Sequence, residues 1–492
     1  MTVGQRIRLT EGGASVAKKL VIEVPDELEA MGEAFQAMVD RVVAANRSAA
    51  GHGRAVDYAP LEREIGVLSR AVERGAHEAM LQALDIDAPR VSIDGQTWAR
   101  VGRYPGTYYA KAGEVRIPRT LYRELGVRNG KTVDAVGLRA GVVGDGWLPD
   151  TAAVMAFLVA QAPSRDAEKT AEKMDRMGYS RSAFEDVAHL MGQHFVPQHK
   201  DIEEALIGAY EVPAEARSVS AALDRVSLPM EEPRARPVGR PRKGAAKRPV
   251  ERKYRMAWCG TVTLHNADGK ALHTIRYGLM PYGDPVELVH SLLGDIAKLL
   301  EKRPDLKVAA LADGAHDLWT LLEAWLNEEV LGVRVYYLVD FWHLMEKLGK
   351  AARVIYGKDG AASPVLRRWR VALLNNANAA CEIILELWKS GRRHAVVDDA
   401  RPVHEAIRYL LNHRERMNYA QARRAGLPIG SGNVEATCKS LVETRMKRCG
   451  SRWKDETGGY VLQLRALALS DRWDHALELT LAPLRKAVRT VG

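Results

Sequence analysis

Two short apolar segments near the middle of the chain constrain the fold more than any other feature. Residues 307–312 and 333–339 have the length of strands, and each is followed at once by an aspartate, Asp313 or Asp340. A helical pattern that begins near His316 separates them. Strand, helix and strand in this order predict parallel strands of one sheet. Both aspartates are then expected at the edge where α/β folds place their sites.

The segment before these strands has the pattern of a β-hairpin. Polar and apolar residues alternate over 254–265 and 270–277, and Asn266–Gly269 supplies the turn. Together with an amphipathic helix predicted over 284–302, the hairpin and the later strands indicate a mixed sheet flanked by helices. We expect the first part of this α/β core to span 254–344.

Residues 345–425 are predicted to be helical throughout and to form an insertion before the last part of the core, 426–492. Basic residues are interleaved with tryptophan there, as in Arg367–Arg370 and near Trp388. This mixture suits contact with DNA, whereas packing of amphipathic helices is the alternative interpretation.

The N-terminal half divides by its periodicity into three regions. Residues 1–89 carry helical spacing twice, 90–146 contain short strand-like pieces between glycine turns, and 147–210 are helical again. In the last region, helices on either side of Gly178–Ser180 are compatible with a DNA-reading helix-turn-helix and with a plain helical hairpin, the commoner arrangement. The expected fold class is α+β and multidomain, with N-terminal helices and a small antiparallel β-sheet before the α/β core and its all-helical insertion.

Residues 211–253 have the composition of a linker, rich in Pro, Ala, Ser and Arg. The end of the linker is basic, and Gly239-Arg240-Pro241-Arg242-Lys243 resembles the Gly-Arg-Pro core of AT-hook peptides. In that interpretation the basic side chains follow the negative potential of a narrow minor groove. The alternative is a flexible basic linker with non-specific phosphate contacts. Both interpretations predict a nucleic-acid partner.

Charge and cysteine content limit the partners and the compartment. The formal net charge of the 492-residue chain is +10, which indicates a polyanionic partner only where the charge is clustered. The cysteines form no Cys-x-x-Cys pair, so we interpret them as free thiols in a reducing compartment. No signal peptide and no apolar run long enough to cross a bilayer is recognisable. We therefore expect a cytoplasmic protein without a membrane partner.

A glycine-rich turn near the C-terminus leads into a basic helix. Gly430-Ser431-Gly432 ends the preceding pattern, Ser431 or Asn433 is available as the helix cap, and Glu435 falls in the first turn. The basic residues that follow are Lys439, Arg445, Lys447, Arg448 and Arg452. One acid followed by a basic helix suits phosphate backbones and metal ions, whereas a capped surface helix with solvated charges is the alternative.

Taken together, these motifs resemble the catalytic core of DDE transposases of bacterial insertion sequences, closest to the ISKra group. The motifs are Leu311-Ala-Asp313-Gly314, Leu338-Val-Asp340-Phe-Trp-His343 and Gly426-Leu-Pro-Ile-Gly-Ser-Gly-Asn-Val-Glu435, followed by Arg445-Met-Lys447-Arg-Cys-Gly450-Ser-Arg-Trp453. The resemblance covers about residues 100–475 and is strongest from 307 onward.

The resemblance implies an RNase H-like core that binds divalent ions, Mg²⁺ or Mn²⁺, between carboxylates. Asp313 and Glu435 match metal-binding acids of the family, and Asp340 and His343 match a motif to which we assign support of the catalytic site. The implied function is binding of insertion-sequence ends, metal-dependent DNA cleavage and strand transfer. The implied partners are double-stranded DNA, as element ends and target, and further copies of the chain assembled on DNA near the bacterial nucleoid.

One motif departs from the family. Relatives place the first aspartate in an Asp-Gly-Thr sequence, and the same context here reads Cys259-Gly260-Thr261. A thiolate is a soft ligand and a poor one for Mg²⁺ or Mn²⁺. Asp268 and Asp284 are the nearest acids that could replace the missing carboxylate. Two functions therefore stay open, an active transposase and a catalytically disabled descendant that acts as a DNA-binding regulator.

Overall fold

The chain divides into two units, residues 1–194 with 477–492, and residues 195–476. The structure is a computed structural model. It describes residues 5–6, 23–49, 55, 57–231, 252–357, 360 and 362–491. The AT-hook-like residues Arg240, Arg242 and Lys243 therefore lie outside the described residues.

The strands of both units are numbered in chain order. They are β1 (Gln5–Arg6), β2 (Glu23–Val24), β3 (Arg90–Ile93), β4 (Gln96–Ala110), β5 (Gly113–Glu124), β6 (Thr132–Asp134), β7 (Ser218–Glu231), β8 (Arg252–His265), β9 (Ala271–Leu279), β10 (Lys307–Ala312), β11 (Val335–Val339) and β12 (Val488–Thr490).

The helices are numbered in the same way. They are α1 (Glu29–Ala49), α2 (Ala59–Leu84), α3 (Ala135–Ala140), α4 (Pro149–Gln161), α5 (Ser164–Lys173), α6 (Arg181–Phe195), α7 (His199–Ala209), α8 (Pro285–Lys302), α9 (His316–Trp325), α10 (Glu328–Leu331), α11 (Phe341–Tyr356), α12 (Ala362–Asn375), α13 (Ala379–Lys389), α14 (Pro402–His413), α15 (Tyr419–Arg424), α16 (Gly432–Thr437), α17 (Thr444–Met446), α18 (Asp455–Leu469) and α19 (Trp473–Leu481). A π-helical turn, Cys438–Glu443, joins α16 to α17. None of the helices in the described part of the chain is both long enough and apolar enough to span a membrane.

The first unit contains an antiparallel sheet in the order β12-β3-β4-β5-β6. Its core includes Tyr108 and Tyr122, which are fully buried. The edge strand β12 comes from the C-terminus, where Val488 pairs with Ile93. The predicted assignment of all of 426–492 to the last part of the core is therefore wrong for 477–492. A three-residue strand has too few residues to show a period, and its pairing partner lies far away in sequence.

The second unit is built on a sheet in the order β11-β10-β7-β8-β9. Strands β7, β8 and β9 are antiparallel neighbours, whereas β10 is parallel to both β7 and β11. Helices α8 and α9 make the connections that parallel strands require. The class is mixed α and β, as the sequence predicts.

The predicted linker over 211–253 is wrong for residues 218–231, which form β7, the central strand of this sheet. All residues from Ser218 to Leu223 are at most 3% exposed. A central strand covered on both faces shows no alternation of polar and apolar residues. Because β7 also uses small Ser and Ala residues where helices cover it, its composition is that of a linker.

Helices α12–α15 occupy the predicted insertion between the last strand of this sheet and the turn before Glu435. Their apolar side belongs to the same core as the sheet, with Trp369, Leu373 and Leu410 each at most 2% exposed. The insertion is therefore anchored to the sheet by packing. The helix α11 begins directly after Asp340 and extends into the first part of the predicted insertion.

Candidate active site

Three aspartates follow paired residues of adjacent strands in the central sheet. Ala312 pairs with Leu223 on one side and with Val339 on the other. The next residue along each strand is Asp313, Asp224 or Asp340, respectively. Because these strands are parallel, the three carboxylates lie at the same level of the sheet. Asp224 was not predicted from the sequence; it follows a short run of mostly apolar residues, as Asp313 and Asp340 do, but it lies inside its strand and not after it.

The Asp224 carboxylate is partly buried and lies close to a second negative charge. Burial raises its pKa, and the charge of Asp313 raises it further. The backbone N–H of Arg225 donates to Oδ1 at 2.7 Å, and the Cys438 thiol lies 3.6 Å from Oδ2. These contacts and the nearby His343 lower the pKa only in part, so the pKa of Asp224 stays raised, and a bound cation would relieve the repulsion between the two carboxylates.

Asp313 is held by the turn that follows its strand. Its Oδ1 accepts a hydrogen bond from the Ala315 backbone at 2.8 Å, and its carbonyl oxygen accepts one from Nε1 of Trp319 at 2.7 Å. The next residue, Gly314, has no room for a Cβ, which would come within 2.4 Å of the Tyr409 ring. The insertion helix α14 therefore packs directly against the turn that carries this acid.

Both carboxylate oxygens of Asp340 accept hydrogen bonds. Its Oδ1 accepts from the His343 backbone at 2.6 Å, and its Oδ2 accepts from the backbone and the hydroxyl of Ser431 at 2.5 and 2.9 Å. Burial opposes its ionisation, but the hydrogen bonds from His343 and Ser431 outweigh burial and lower its pKa to about 2. Asp340 is only 3% exposed. It therefore ties the end of β11 to the turn before Glu435.

His343 lies where the negative charges of the site meet. Its Nδ1 is 3.2 Å from Oδ1 of Asp340, an ion-pair distance without the alignment of a hydrogen bond. The Asp340 carboxylate raises the pKa of His343, burial opposes this, and the charges of Asp313 and Glu435 raise it further. The charges of Asp340, Asp313 and Glu435 all raise the pKa of His343, so these three acids lie within electrostatic reach of the same side chain.

Glu435 lies in the first turn of α16, as the sequence predicts, and its side chain is 56% exposed. Its Oε1 is 3.8 Å from Nζ of Lys439, one turn further along. Ser431 precedes this helix, but its side chain makes no capping bond to the helix and instead donates to Asp340. The glutamate is therefore free to face a ligand on a helix that Asp340 anchors.

Cys259 lies on β8, the second strand of the sheet, directly opposite Asp224. It is fully buried, and Cys438 beside it is 6% exposed. Contact with Cys259 and burial both raise the pKa of the Cys438 thiol, so it stays protonated. Cys259, to which the resemblance assigns the first-carboxylate position, is thus a buried thiol, and the carboxylate opposite it belongs to Asp224 of β7.

The two acids that the sequence offered as replacements serve the local backbone or the surface. Asp284 caps α8, its Oδ1 accepting from the Val286 backbone at 2.9 Å. Asp268 is exposed in the turn between β8 and β9. Neither belongs to the group around Asp313.

The basic residues after Glu435 differ in their exposure and in their partners. Lys439 is 69% exposed, and Arg448 is also exposed. Lys447 and Arg452 lie in ion pairs, with Glu443 at 3.0 Å and with Glu231 at 3.4 Å.

Arg445 is the exception among them. It is 5% exposed, and its guanidinium carbon lies 5.1 Å from the centre of the Trp453 ring. A DNA phosphate cannot reach a guanidinium that is buried in this way. The prediction that Arg445 binds DNA is therefore wrong, and the residue packs the helix end against the segment that follows it.

The resemblance implies that the carboxylates of this site hold a divalent metal ion. The described residues contain no group of three or more His, Cys, Asp or Glu side chains arranged to hold a metal ion. Mg²⁺, however, is usually bound by one or two carboxylates, with waters and substrate phosphates as its other ligands. Asp224 and Asp313 provide two such oxygen donors side by side. The residues therefore fit a hard divalent ion.

Comparisons with known proteins give little at the level of sequence. No protein family and no curated protein matches the chain. Among solved structures, the chain is similar to one from the Drosophila P element transposase strand transfer complex, with 13% sequence identity, coverage of 66% of this chain and 79% of that chain, and a TM-score of 0.25. A TM-score this low leaves any functional assignment to the site itself.

Proposed function

We propose that the protein is a DDE-type transposase that binds the ends of an insertion sequence, cleaves DNA and transfers the cut strand. The observation that carries the proposal is the pair Asp224 and Asp313 at matching positions of parallel strands. Glu435 adds a third acid, since its charge reaches the same histidine as that of Asp313. An RNase H-like core with a helical insertion is supported by the strand order and by α12–α15.

Asp224, Asp313 and Glu435 would hold Mg²⁺ or Mn²⁺ in this proposal. When bound, the ions activate water or a DNA 3′-hydroxyl and stabilise the departing oxygen. The carboxylates suit this task because they are hard oxygen ligands, whereas the buried thiols of Cys259 and Cys438 are not.

The other residues of the site orient and balance charge. Asp340 fixes the Ser431 turn and thereby the helix that carries Glu435. His343 holds its proton more strongly than an isolated histidine, because it lies beside Asp340. When protonated, it places positive charge next to the carboxylates. Lys439 and Arg448 offer exposed cationic groups for the DNA backbone on the same helical segment.

The alternative function, a catalytically disabled descendant that binds DNA, rests on Cys259 in place of a carboxylate. Asp224 supplies a carboxylate on the adjoining strand, and we therefore favour the active transposase. We assign DNA binding also to the basic segment around Arg240, Arg242 and Lys243 and to the helix pair α5 and α6. Assembly of several copies on DNA is part of the same proposal.

The test is strand cleavage and joining on DNA that carries the inverted repeats flanking the coding region. Asp224→Asn, Asp313→Asn and Glu435→Gln should each lower activity by more than the roughly hundredfold that loss of a supporting residue costs, while DNA binding persists. Asp268→Asn, which removes an exposed acid outside the site, is the matched control and should leave activity unchanged. Full activity of Asp224→Asn would contradict the proposal.

A further inference from the structure

A cavity of about 360 Å³ lies beside the turn that carries Asp313. Gly314 lies in its wall, between residues of α9 on one side and His413 and Arg416 of the insertion on the other. Because Gly314 directly follows Asp313, a ligand in this cavity would lie close to an acid that we assign to the metal site. The cavity is therefore placed where the insertion meets the carboxylate site.

Two side chains of α14 carry buried polar atoms that have no hydrogen-bond partner among the described residues, the Tyr409 hydroxyl and Nδ1 of His413. Both rings pack on the same turn, since a Cβ added at Gly314 would collide with the Tyr409 ring and would lie 3.1 Å from Nε2 of His413. His413 is only 8% exposed. Buried polar groups nearly always have a partner, so two neighbouring groups without one indicate that a ligand binds there.

The Tyr409 hydroxyl also lies within electrostatic reach of the acids. Burial raises the pKa of Tyr409, and the charges of Asp313 and Asp340 raise it further. The hydroxyl therefore stays protonated and can donate a hydrogen bond to an oxygen that is bound near these carboxylates.

Arg416 supplies a fixed positive charge to the cavity. Its Nε donates to Oε1 of Glu323 at 2.7 Å, and its guanidinium carbon lies 4.7 Å from the centre of the Trp319 ring. Its Nη2 also bonds Glu323, so Nη1 is the nitrogen that has no partner in the described part of the chain. The carboxylate in the cavity wall is thus already paired, and the guanidinium keeps a donor for a further ligand.

We propose that this cavity binds a phosphate of the DNA strand on which the carboxylates act, next to the phosphate that is cleaved. The inference rests on the proposed function. Arg416, His413 and Tyr409 donate hydrogen bonds to the oxygens of this phosphate. A phosphate suits them because it is negatively charged and accepts hydrogen bonds from several directions, and a guanidinium binds it with charge-assisted bonds. Such a contact fixes the register of the strand without reading its sequence.

The experiment measures binding of DNA by fluorescence anisotropy, with the full-length Asp313→Asn variant so that no strand is cut. Each probe is element-end DNA in which one phosphate near the cleavage site is replaced by a neutral methylphosphonate. At one position the replacement should weaken binding about tenfold, as loss of a charge-assisted hydrogen bond does.

Variants of the cavity should remove this interference at that position only, because the interaction energy between two partners disappears when either is absent. Arg416→Gln should abolish the interference, and Tyr409→Phe should reduce it. The matched control is Arg408→Gln, since Arg408 is exposed on the same helix and does not line the cavity. This variant should show the full interference. Equal interference with and without Arg416 would overturn the inference.

Thermal melts of the DNA-free protein test the state of the Tyr409 hydroxyl. Tyr409→Phe should leave the melting temperature unchanged or raise it, because the hydroxyl has no bond to lose. Tyr419→Phe is the control and should lower it, because the buried Tyr419 hydroxyl donates to the Val339 carbonyl oxygen at 2.9 Å. An equal decrease in both variants would mean that a buried water already satisfies Tyr409, and this would contradict the inference.

Two further results separate the possible sources of the phosphate and the two proposals. Inorganic phosphate that binds only when Arg416 is present, without interference at any position of the DNA, would assign the cavity to free phosphate and overturn the inference. Metal-dependent cleavage by the wild type without interference would overturn this inference alone. Interference that depends on Arg416, without cleavage by the wild type, would overturn the proposed function alone.

Discussion

Asp340 has the environment of a residue that holds neighbouring groups in position. It is buried, and hydrogen bonds donated by Ser431 and His343 stabilise its negative charge. An acid that is already satisfied in this way has little capacity left for a metal ion. Asp224 has the opposite character, because burial and a like charge oppose its ionisation.

The first prediction concerns the stability that Asp340 contributes. Its folded-state pKa of about 2 lies below the ordinary value of 3.8, so the ionised form stabilises the fold at neutral pH. The shift corresponds to about 2 kcal/mol. Asp340→Asn should lower the free energy of unfolding by about that amount at pH 7. As pH falls below about 4 towards about 2, the wild type should lose this advantage. Urea unfolding of both proteins at several pH values measures it, and a difference independent of pH would contradict it.

The second prediction concerns Cys259, which is buried opposite Asp224. Cys259→Asp should lower the melting temperature and restore or add no activity, because it buries an unpaired charge next to an existing carboxylate. Cys259→Ser keeps the size of the side chain and should leave metal-dependent cleavage intact. Thermal melts and cleavage assays on both variants check this. Higher activity in Cys259→Asp would show that the site lacks a carboxylate.

The turn that contains Ser431 links the end of β11 to the start of α16 through hydrogen bonds to Asp340. The Ser431 hydroxyl donates to Asp340 instead of capping its own helix. Ser431→Ala should lower kcat roughly tenfold to hundredfold, as loss of a supporting contact does, with little change in KM for DNA. The matched control is Ser470→Ala, since Ser470 is equally buried but its hydroxyl accepts from the Arg276 backbone, away from the acids. An equal loss of kcat in both variants would mean that Ser431 acts only through stability.

Some strands of the second unit could be predicted from the sequence, and others could not. Strands β10 and β11 are recognisable because apolar runs of strand length end at Asp313 and Asp340. Strand β7 was missed since its Ser and Ala residues resemble a linker, although Val219–Leu223 also ends at an acid, Asp224. The pairing of β7 between β10 and β8 is a tertiary property, and only it shows that Asp224 stands beside Asp313.

The basic residues after Glu435 were also predicted only in part from the sequence. Its charges are visible in the sequence, but their exposure is not: Lys439 is exposed, whereas Arg445 is buried against Trp453. A run of basic residues therefore predicts a basic helix without saying which of its members can reach a phosphate.

The affinity of the complete chain for DNA should depend on positive charge that is spread over several segments. The basic segment 233–253 is a prediction from sequence alone, since Arg240 and Arg242 lie outside the described residues. Replacing both by alanine should flatten the slope of log affinity against log salt concentration by about two, because each phosphate contact releases about one counterion. Binding titrations at several salt concentrations, with AT-rich and mixed DNA, measure this. An unchanged slope in both DNAs would make the segment a tether.

We propose that Asp224 and Asp313 together bind the metal ion of the site, and a direct titration of Mn²⁺ tests this without any requirement for activity. Calorimetry on the wild type, Asp224→Asn and Cys259→Ser compares the two candidate positions for the first metal-binding residue, which lie on adjacent strands of the sheet. We expect Asp224→Asn to weaken Mn²⁺ binding at least about tenfold, as loss of even a supporting ligand does. Cys259→Ser should bind Mn²⁺ like the wild type. Unchanged binding in Asp224→Asn, or its loss in Cys259→Ser, would contradict the claim.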